Sequence, residues 1–208
     1  MAGAHANLPP VRIISGEFRG RRLAAPKGFD TRPMLGRVRE AVFSTLGETF
    51  QDTKALDLFS GTGSLGIEMI SRGASYVRFL ERDRAAADVL TSNLFEFGVG
   101  PRSDVRVADA LDPRNWADPD DASRIGPWAD YVVMDPPYPF LRDPELRPRV
   151  FQALHQLVNE VLVADGILVL HTHPRDVRED DPALDMGFDL ARREYGNSAI
   201  FYVQKSQD

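Results

Sequence analysis

A glycine-rich segment between an apolar strand and a helix constrains this chain more than any other feature. Residues 54–59, KALDLF, have the short apolar pattern of a buried strand, and the segment GTGSLGIEMISRG leads from them into a helix. Gly61, Gly63 and Gly66 fit the pattern G-x-G-x-x-G. Glycines permit a tight turn and a close approach of the backbone to a ligand, and the start of a helix offers free N–H groups. The segment predicts a ligand-binding loop, with a purely structural turn as the alternative.

Strands and helices alternate along the rest of the chain. The apolar segments YVRFLE, DVRVADA, DYVVMD and GILVLHTH are predicted strands. Helices are predicted over about residues 36–50, directly after the glycine loop, in DRAAADVLTSNLFEFG with Asp83 as N-cap, and over 145–163. The segment LARREYGNSAIFYVQK is predicted to be a hairpin that turns at Gly196 and Asn197. The pattern predicts an α/β, Rossmann-like fold with a seven-stranded, mostly parallel sheet and a terminal antiparallel hairpin.

The N-terminal region differs from the rest of the chain in charge. Residues 1–40 carry eight Lys and Arg side chains against three acidic ones, a net charge of +5, whereas the remaining 168 residues carry −11. Screening limits fields to about 10 Å, so a basic arm on an acidic body can still attract phosphates; a solvated, charge-rich N-terminus is the alternative. The chain is divided into a disordered leader (1–10), a β-hairpin extension with arginines at its bend (11–35) and a Rossmann-like domain (36–208).

The composition excludes several classes of protein. The chain has no cysteine, which excludes disulfides, thiolate zinc sites and thiol nucleophiles. No apolar run approaches the roughly 20 residues that a membrane helix needs, and the N-terminus lacks the pattern of a signal peptide. We therefore expect a cytoplasmic enzyme with no membrane partner, and a monomer. His171 and His173 share one face of a strand, but no third ligand accompanies them, so no metal site is predicted.

Acidic residues at strand ends bear on which ligand the glycine loop would bind. Glu81 ends the second strand 20 residues after Gly61, where its two oxygens can accept both hydroxyls of a ribose. Asp57 beside the loop could hold the ammonium group of S-adenosylmethionine, whereas it would repel a dinucleotide pyrophosphate. Asp109 and Ala110 end the third strand, where an adenine amino group would be recognised. These positions favour S-adenosylmethionine over a nicotinamide dinucleotide; capping of the loop by Asp57 and a simple turn at Asp109 are the alternatives.

The tetrapeptide Asp135-Pro136-Pro137-Tyr138 follows the fourth predicted strand and, with PFLRDP after it, is predicted to be a loop. An exocyclic amino nitrogen is a poor nucleophile, because its lone pair is delocalised into the base ring. The Asp135 carboxylate and the Pro136 carbonyl can each accept one N–H, which directs the lone pair at a methyl group. Tyr138 can stack on the base, worth about 1–3 kcal/mol. The motif predicts methylation of a nucleobase amino group, with a structural Pro-Pro turn as the alternative.

Taken together, these segments resemble the bacterial small-subunit ribosomal RNA guanine-N2 methyltransferases of the RsmD type. The likeness spans about residues 11–203 and rests on the following segments: RIISGEFRGRRL, TRP, RVREAVFSTL, LDLFSGTGSLGIEMISRGA, LERD, DPPY and YGNSAIFYV. Gly36 stands where the family usually has an acidic residue. The resemblance implies a class I methyltransferase fold, S-adenosylmethionine as cofactor, and small-subunit (16S) ribosomal RNA or its ribonucleoprotein as partner.

The resemblance also implies roles for individual residues. The tetrapeptide 135–138 would be catalytic. The residues that would bind the cofactor are Asp57, Ser60, Gly61, Thr62, Gly63, Glu81, Arg82, Asp109 and Ala110. The residues that would contact RNA are Arg19, Arg21, Arg22, Arg32 and Arg37. Three alternatives stay open: an adenine-N6 or cytosine-N4 methyltransferase, a nicotinamide-dependent oxidoreductase, and a non-catalytic RNA-binding protein. An oxidoreductase would give the DPPY motif no function.

Overall fold

The computed structural model describes residues 11–25, 34–184 and 187–206. The leader predicted over residues 1–10 and the predicted RNA contact Arg32 lie outside the described residues. Within the described ranges, no helix is both long enough and apolar enough to cross a membrane.

In the described residues a seven-stranded sheet forms the centre of the fold, as the alternating pattern predicts. Its strands are β1 (Lys54–Leu58), β2 (Tyr76–Glu81), β3 (Ser103–Val107), β4 (Ala129–Met134), β5 (Leu162–Thr172), β6 (Phe188–Tyr195) and β7 (Ser198–Lys205). The spatial order is β3-β2-β1-β4-β5-β7-β6, with parallel pairing from β3 to β5. The predicted terminal hairpin is confirmed, because β7 pairs antiparallel with both β5 and β6.

Helices cover both faces of this sheet. They are α1 (Gly36–Leu46), α2 (Ser64–Ser71), α3 (Arg84–Phe97), α4 (Tyr138–Arg142) and α5 (Leu146–Gln156). Side chains alternate between the two faces along a strand, so Ala55 and Val133 pack with α1, α2 and α3, whereas Leu56 and Met134 pack with α5. The sheet is therefore buried between two apolar layers, which leaves the ends of its strands as the place for polar chemistry.

Individual residues determine where α3 begins and where α1 ends. Asp83 caps α3 as predicted, because its carboxylate accepts the Ala86 N–H at 2.9 Å. The helix predicted over residues 36–50 ends earlier, at Leu46, because Gly47 leaves the helix with φ 115°. Gly36 begins α1 without a side-chain cap and without a carboxylate in the first turn. Packing of its buried face therefore stabilises α1 more than capping does.

The region that follows β4 differs from the prediction. Residues 138–142 form helix α4 rather than a loop, and Pro139 lies in the first turn, where a missing N–H breaks no helical hydrogen bond. The single helix predicted over residues 145–163 is confirmed up to Val161, although it changes type along its length. Leu157–Val161 form a π-helical turn after α5, and β5 begins directly after it at Leu162.

The predicted N-terminal hairpin is present in residues 11–25 as a short, irregular one that packs on α2 and α3, and backbone hydrogen bonds of 2.8 to 3.0 Å join its two arms. An isolated antiparallel bridge joins Arg12 to Arg22. The N–H groups of Ile14 and Ser15 instead donate to the buried Glu68 carboxylate of α2, at 2.7 and 2.9 Å, which limits strand pairing. The apolar side chains that this segment adds to the core are Ile13, Phe18 and Leu23.

Candidate active site

The carboxyl ends of β1 and β4 meet where the strand order reverses. From this point the chain order runs to β2 and β3 on one side and to β5 on the other, and such a crevice is where open α/β sheets bind ligands. Asp57 of β1 lies opposite Val133 of β4, and Asp135 follows two residues later. Because side chains alternate along a strand, both carboxylates are directed to the same face of the sheet. The topology therefore brings these two predicted site residues to one rim.

Asp57 is buried at the end of β1 and accepts a hydrogen bond from the Gly66 N–H of α2 at 2.9 Å. This contact caps the loop, as one interpretation of the sequence proposed. Burial raises the pKa of Asp57 to about 8; the Gly66 hydrogen bond opposes the rise, and the Asp135 and Glu81 carboxylates add to it. Asp57 is consequently a protonated acid at neutral pH, and a cation placed beside it would favour its ionised form.

The backbone of the glycine loop is held by a few hydrogen bonds. Ser60 Oγ donates to the carbonyl of Asp57 at 2.6 Å, and the carbonyl of Thr62 accepts from Asn93 Nδ2 of α3 at 3.1 Å. The Gly63 N–H closes the turn by donating to the Ser60 carbonyl at 2.8 Å. These contacts orient the loop before any ligand binds.

Glu81 lies at the end of β2, directly beside this loop. One of its oxygens accepts the Gly61 N–H and the other accepts the Asp83 N–H, both at 2.8 Å. A carboxylate offers about four lone-pair sites, so each oxygen can accept a further donor. Gly61 has φ 55° and faces open space, since a Cβ there would meet no atom within 4 Å. The site thus presents acceptors next to an open backbone, the geometry that a ribose diol would use.

The polar groups of Asp109 and Ala110, after the end of β3, have more partners within the protein than the sequence suggests. Asp109 accepts the Leu111 N–H at 3.0 Å through one oxygen and forms an ion pair with Arg149 of α5 at 2.9 Å through the other. Ala110 is buried, and its carbonyl accepts the Trp116 Nε1–H at 3.0 Å. Both residues fix the turn after β3, and the second lone pairs of the Asp109 carboxylate remain available.

The Asp135 carboxylate is supported by a chain of hydrogen-bonded side chains. Its Oδ1 lies 2.7 Å from Nδ1 of His171, and His171 Nε2 lies 2.9 Å from Ser198 Oγ. The Tyr138 hydroxyl is 3.3 Å from the same Nε2 and 3.4 Å from the carbonyl of Asn197. The β6–β7 turn is therefore in direct contact with the predicted catalytic tetrapeptide.

The other members of the tetrapeptide differ in exposure. Pro136 is buried, whereas Pro137 is exposed and precedes α4 with φ −52°. Tyr138 begins α4, with its ring edge-to-face against His171 and His173, both at 5.7 Å between centroids. Partial burial raises the pKa of the Tyr138 hydroxyl, which keeps it a neutral hydrogen-bonding group.

The predicted RNA-contacting arginines lie in three different settings. Arg19 and Arg22 are exposed on the N-terminal segment. Arg21 is held to α3, because its guanidinium donates to the Glu96 carbonyl at 2.8 Å and lies 4.0 Å from the centre of the Phe97 ring. Arg37 is exposed on α1, beside Gly196 of the β6–β7 turn.

A family model and a relative from Bacillus subtilis match almost the whole chain. The family model described as conserved hypothetical protein 95 matches residues 11–204. The chain belongs to this family. YlbH of Bacillus subtilis, described as a candidate rRNA methyltransferase, is 32% identical over 198 residues, which cover 94% of this chain and 99% of that protein.

Further comparisons agree with this membership. Ribosomal RNA small subunit methyltransferase D of Escherichia coli is 40% identical over 96 residues, 46% of this chain and 48% of that protein. The solved structure of yhhF from Escherichia coli, described as a candidate methyltransferase, superposes with a TM-score of 0.75 at 28% identity and covers 96% of this chain and 100% of that one. The predicted resemblance to the RsmD type and the class I Rossmann-like methyltransferase fold are thus confirmed.

Sequence reasoning missed two aromatic residues beside the site of this family member. Phe59 follows β1 with φ 59°, a left-handed conformation that is uncommon for a bulky residue. Its ring packs edge-to-face on Phe140 of α4 at 5.8 Å, and the guanidinium of Arg82 lies 5.5 Å from the centre of the Phe140 ring. Arg82, predicted to bind the cofactor, is therefore linked to α4. A positive φ at a phenylalanine has no sequence signal, so only the fold reveals this cluster.

Proposed function

We propose that this protein transfers a methyl group from S-adenosylmethionine to the exocyclic N2 amino group of a guanine in small-subunit ribosomal RNA. The observation that carries the proposal is the placement of Asp57 and Asp135 at the carboxyl ends of the neighbouring strands β1 and β4, at one rim of the sheet. Relatives named ribosomal RNA small subunit methyltransferase D, from Escherichia coli and Haemophilus influenzae, support an rRNA substrate. The choice of guanine N2 rests on the resemblance to the RsmD type.

The residues at the rim fit S-adenosylmethionine. Within the described residues no Lys or Arg pairs with the buried Asp57, so its carboxyl group is available to the cofactor's ammonium group. Glu81 would accept the ribose hydroxyls beside the open Gly61, and Asp109 with Ala110 would border the adenine. The backbone of residues 60–63 and Arg82 would complete the pocket. When bound, the cofactor supplies a methyl group on a sulfonium, which is open to in-line displacement.

Cofactor binding at pH 7 should release about one proton per protein molecule. Asp57 has a pKa of about 8 in the free protein, so it is mostly protonated at pH 7, and an ammonium group beside it favours the ionised form. Titration calorimetry in two buffers with different ionisation enthalpies measures the released proton. An Asp57→Asn variant, which has no proton to lose, should show heats that do not depend on the buffer. Equal heats for the wild-type protein in both buffers would contradict this assignment.

The same pKa shift also acts on stability. The ordinary pKa of 3.8 applies to the unfolded chain, whereas the folded protein keeps the Asp57 proton up to about pH 8. The folded state therefore binds the extra proton in this window, and the contribution of Asp57 to the free energy of unfolding falls as the pH rises from about 4 to about 8. Urea unfolding at several pH values should show this slope, and Asp57→Asn should remove it.

The tetrapeptide acts on the target base. Asp135 Oδ1 is engaged by His171, which leaves Oδ2 to accept one N–H of the target amino group, while the Pro136 carbonyl accepts the other. These contacts align the nitrogen lone pair with the methyl group, and Tyr138 borders the base. Alignment of this kind can remove about 7–11 kcal/mol of a reaction barrier. No strong base is required, because the methylated product loses its proton readily.

Exposed arginines support RNA as the substrate. Arg19 and Arg22 are directed into solvent from the N-terminal segment, and Arg37 lies beside the β6–β7 turn that contacts Tyr138. Guanidinium groups pair with phosphates through two parallel hydrogen bonds. We place the RNA backbone on these side chains, whereas Arg21 contributes mainly by holding the segment to α3.

The experiment that tests the proposal supplies radiolabelled S-adenosylmethionine to the protein with unmodified ribosomal RNA or its ribonucleoprotein. We expect label in N2-methylguanosine after digestion to nucleosides. Label in N6-methyladenosine or N4-methylcytidine would replace guanine with adenine or cytosine. RNA binding without transfer at saturating cofactor would indicate a non-catalytic RNA-binding protein, and binding of NADH in place of S-adenosylmethionine would indicate an oxidoreductase.

A further inference from the structure

The side chains of Asp135, His171 and Ser198 cross three neighbouring strands at the rim of the sheet. Asp135 follows β4, His171 lies near the end of β5, and Ser198 begins β7. The register pairs Met134 with Leu170, which places Asp135 next to His171. His171 is 4% exposed and Ser198 is 5% exposed, so water has little access to the hydrogen bonds between them. Three elements that are distant in sequence thus converge on one carboxylate.

The hydrogen-bonding capacity of these groups determines where the protons lie. An ionised carboxylate only accepts, so His171 Nδ1 must carry the hydrogen of the 2.7 Å contact to Asp135. In a neutral imidazole the other nitrogen then has a lone pair, and Ser198 Oγ can donate to it at 2.9 Å. The opposite tautomer would direct the Nδ1 lone pair at Asp135 Oδ1, and two acceptors at this distance repel each other.

We propose that His171 is a positioning residue for the methyl-transfer reaction. Held as the Nδ1–H tautomer by Asp135 and oriented by Ser198, it donates to Oδ1 of Asp135, fixes the plane of the carboxylate and leaves Oδ2 as the acceptor for the target amino group. The inference rests on the proposed function, because it assigns His171 a task only through Asp135. It also gives His171 a role that the sequence, which offered it only as a weak metal ligand, did not suggest.

A matched pair of amide variants tests this role. The side-chain NH2 of His171→Asn can occupy the position of Nδ1 and donate to Asp135, whereas that of His171→Gln reaches only the position of Nε2. We expect His171→Gln to lower kcat by about 10- to 100-fold, the range for losing a hydrogen bond to a charged group, with little change in KM for RNA. His171→Asn should recover most of this loss. Equal kcat values for the two variants would overturn the proposal.

A second measurement needs neither RNA nor catalysis. The ¹⁵N NMR shifts of the His171 ring in the wild-type protein should show the Nδ1–H tautomer, and Asp135→Ala should abolish this preference. Resonances of the Nε2–H tautomer in the wild-type protein would overturn the proposal even if methyl transfer is observed. Conversely, failure to methylate any nucleic acid with the Nδ1–H tautomer present would count against the proposed function and not against the placement of the proton.

Discussion

Asp135→Asn is expected to lower kcat for methyl transfer by about 10²- to 10³-fold, the range seen when one group that stabilises a transition state is removed. The His171 N–H requires an acceptor at the Oδ1 position, so the amide oxygen of the new side chain would lie there. Its NH2 group would then take the Oδ2 position and direct a donor at the target amino group, which also carries N–H donors. Single-turnover transfer from labelled S-adenosylmethionine measures the effect.

The same substitution at the other end of β4 provides the control. Asp130 accepts the Lys54 N–H at 2.8 Å, a contact that an asparagine oxygen can also make, and it lies at the opposite rim of the sheet. Asp130→Asn should therefore leave kcat within about threefold of the wild-type value, since the substitution keeps this hydrogen bond and lies away from the site. If Asp135→Asn binds cofactor and RNA normally and retains full kcat, the assigned role of the tetrapeptide is wrong.

Glu68→Ala is expected to lower the free energy of unfolding by about 3–5 kcal/mol, the range for removing one member of a buried ion pair. The Glu68 side chain is fully buried on α2, accepts the N–H groups of Ile14 and Ser15, and pairs with Arg72 at 2.9 Å. Its removal would leave one cation and two backbone donors without their partner. Urea unfolding measures the loss, and limited proteolysis within residues 11–25 should become faster.

An exposed carboxylate on the same segment serves as the comparison. Glu17 pairs with Arg102 at 3.0 Å, and its side chain is 58% exposed. Such surface pairs contribute about 0–1 kcal/mol, so Glu17→Ala should change the free energy of unfolding by no more than that. Similar losses from Glu17→Ala and Glu68→Ala would show that Glu68 does not anchor the N-terminal segment.

The parts of the fold that the sequence predicted are those coded locally. The five parallel strands follow from runs of apolar residues, and the start of α3 follows from the Asp83 side chain, which caps its first turn. Two regions differ from the prediction. Helix α4 forms in a segment predicted to be a loop, because a proline in the first turn breaks no helical hydrogen bond. Pairing in the N-terminal hairpin stops after Ile13, because Glu68 accepts the N–H groups of Ile14 and Ser15.

The residues of the candidate site also fall into those that short motifs reveal and those that only the fold brings together. The glycine loop, Glu81 and the tetrapeptide could be found because their chemistry is contained in short contiguous motifs at strand ends. The partnership of His171 with Asp135 could not be found, because it depends on the register between β4 and β5. The resemblance implies an RNA contact for Arg21, whereas its contact with the Phe97 ring depends on how the segment packs on α3.

By itself, the sequence determined the class of fold, and it predicted the glycine loop and the Asp135 carboxylate as the candidate site. Each follows from the period of apolar residues or from a side chain acting on its immediate neighbours. Only the tertiary structure decided the protonation of Asp57, the hydrogen-bonded support of Asp135 and the anchoring of the N-terminal segment on Glu68. The physical reason is that burial and hydrogen-bond partners depend on which residues are neighbours in three dimensions. Residues distant in sequence become such neighbours only once the strands have paired.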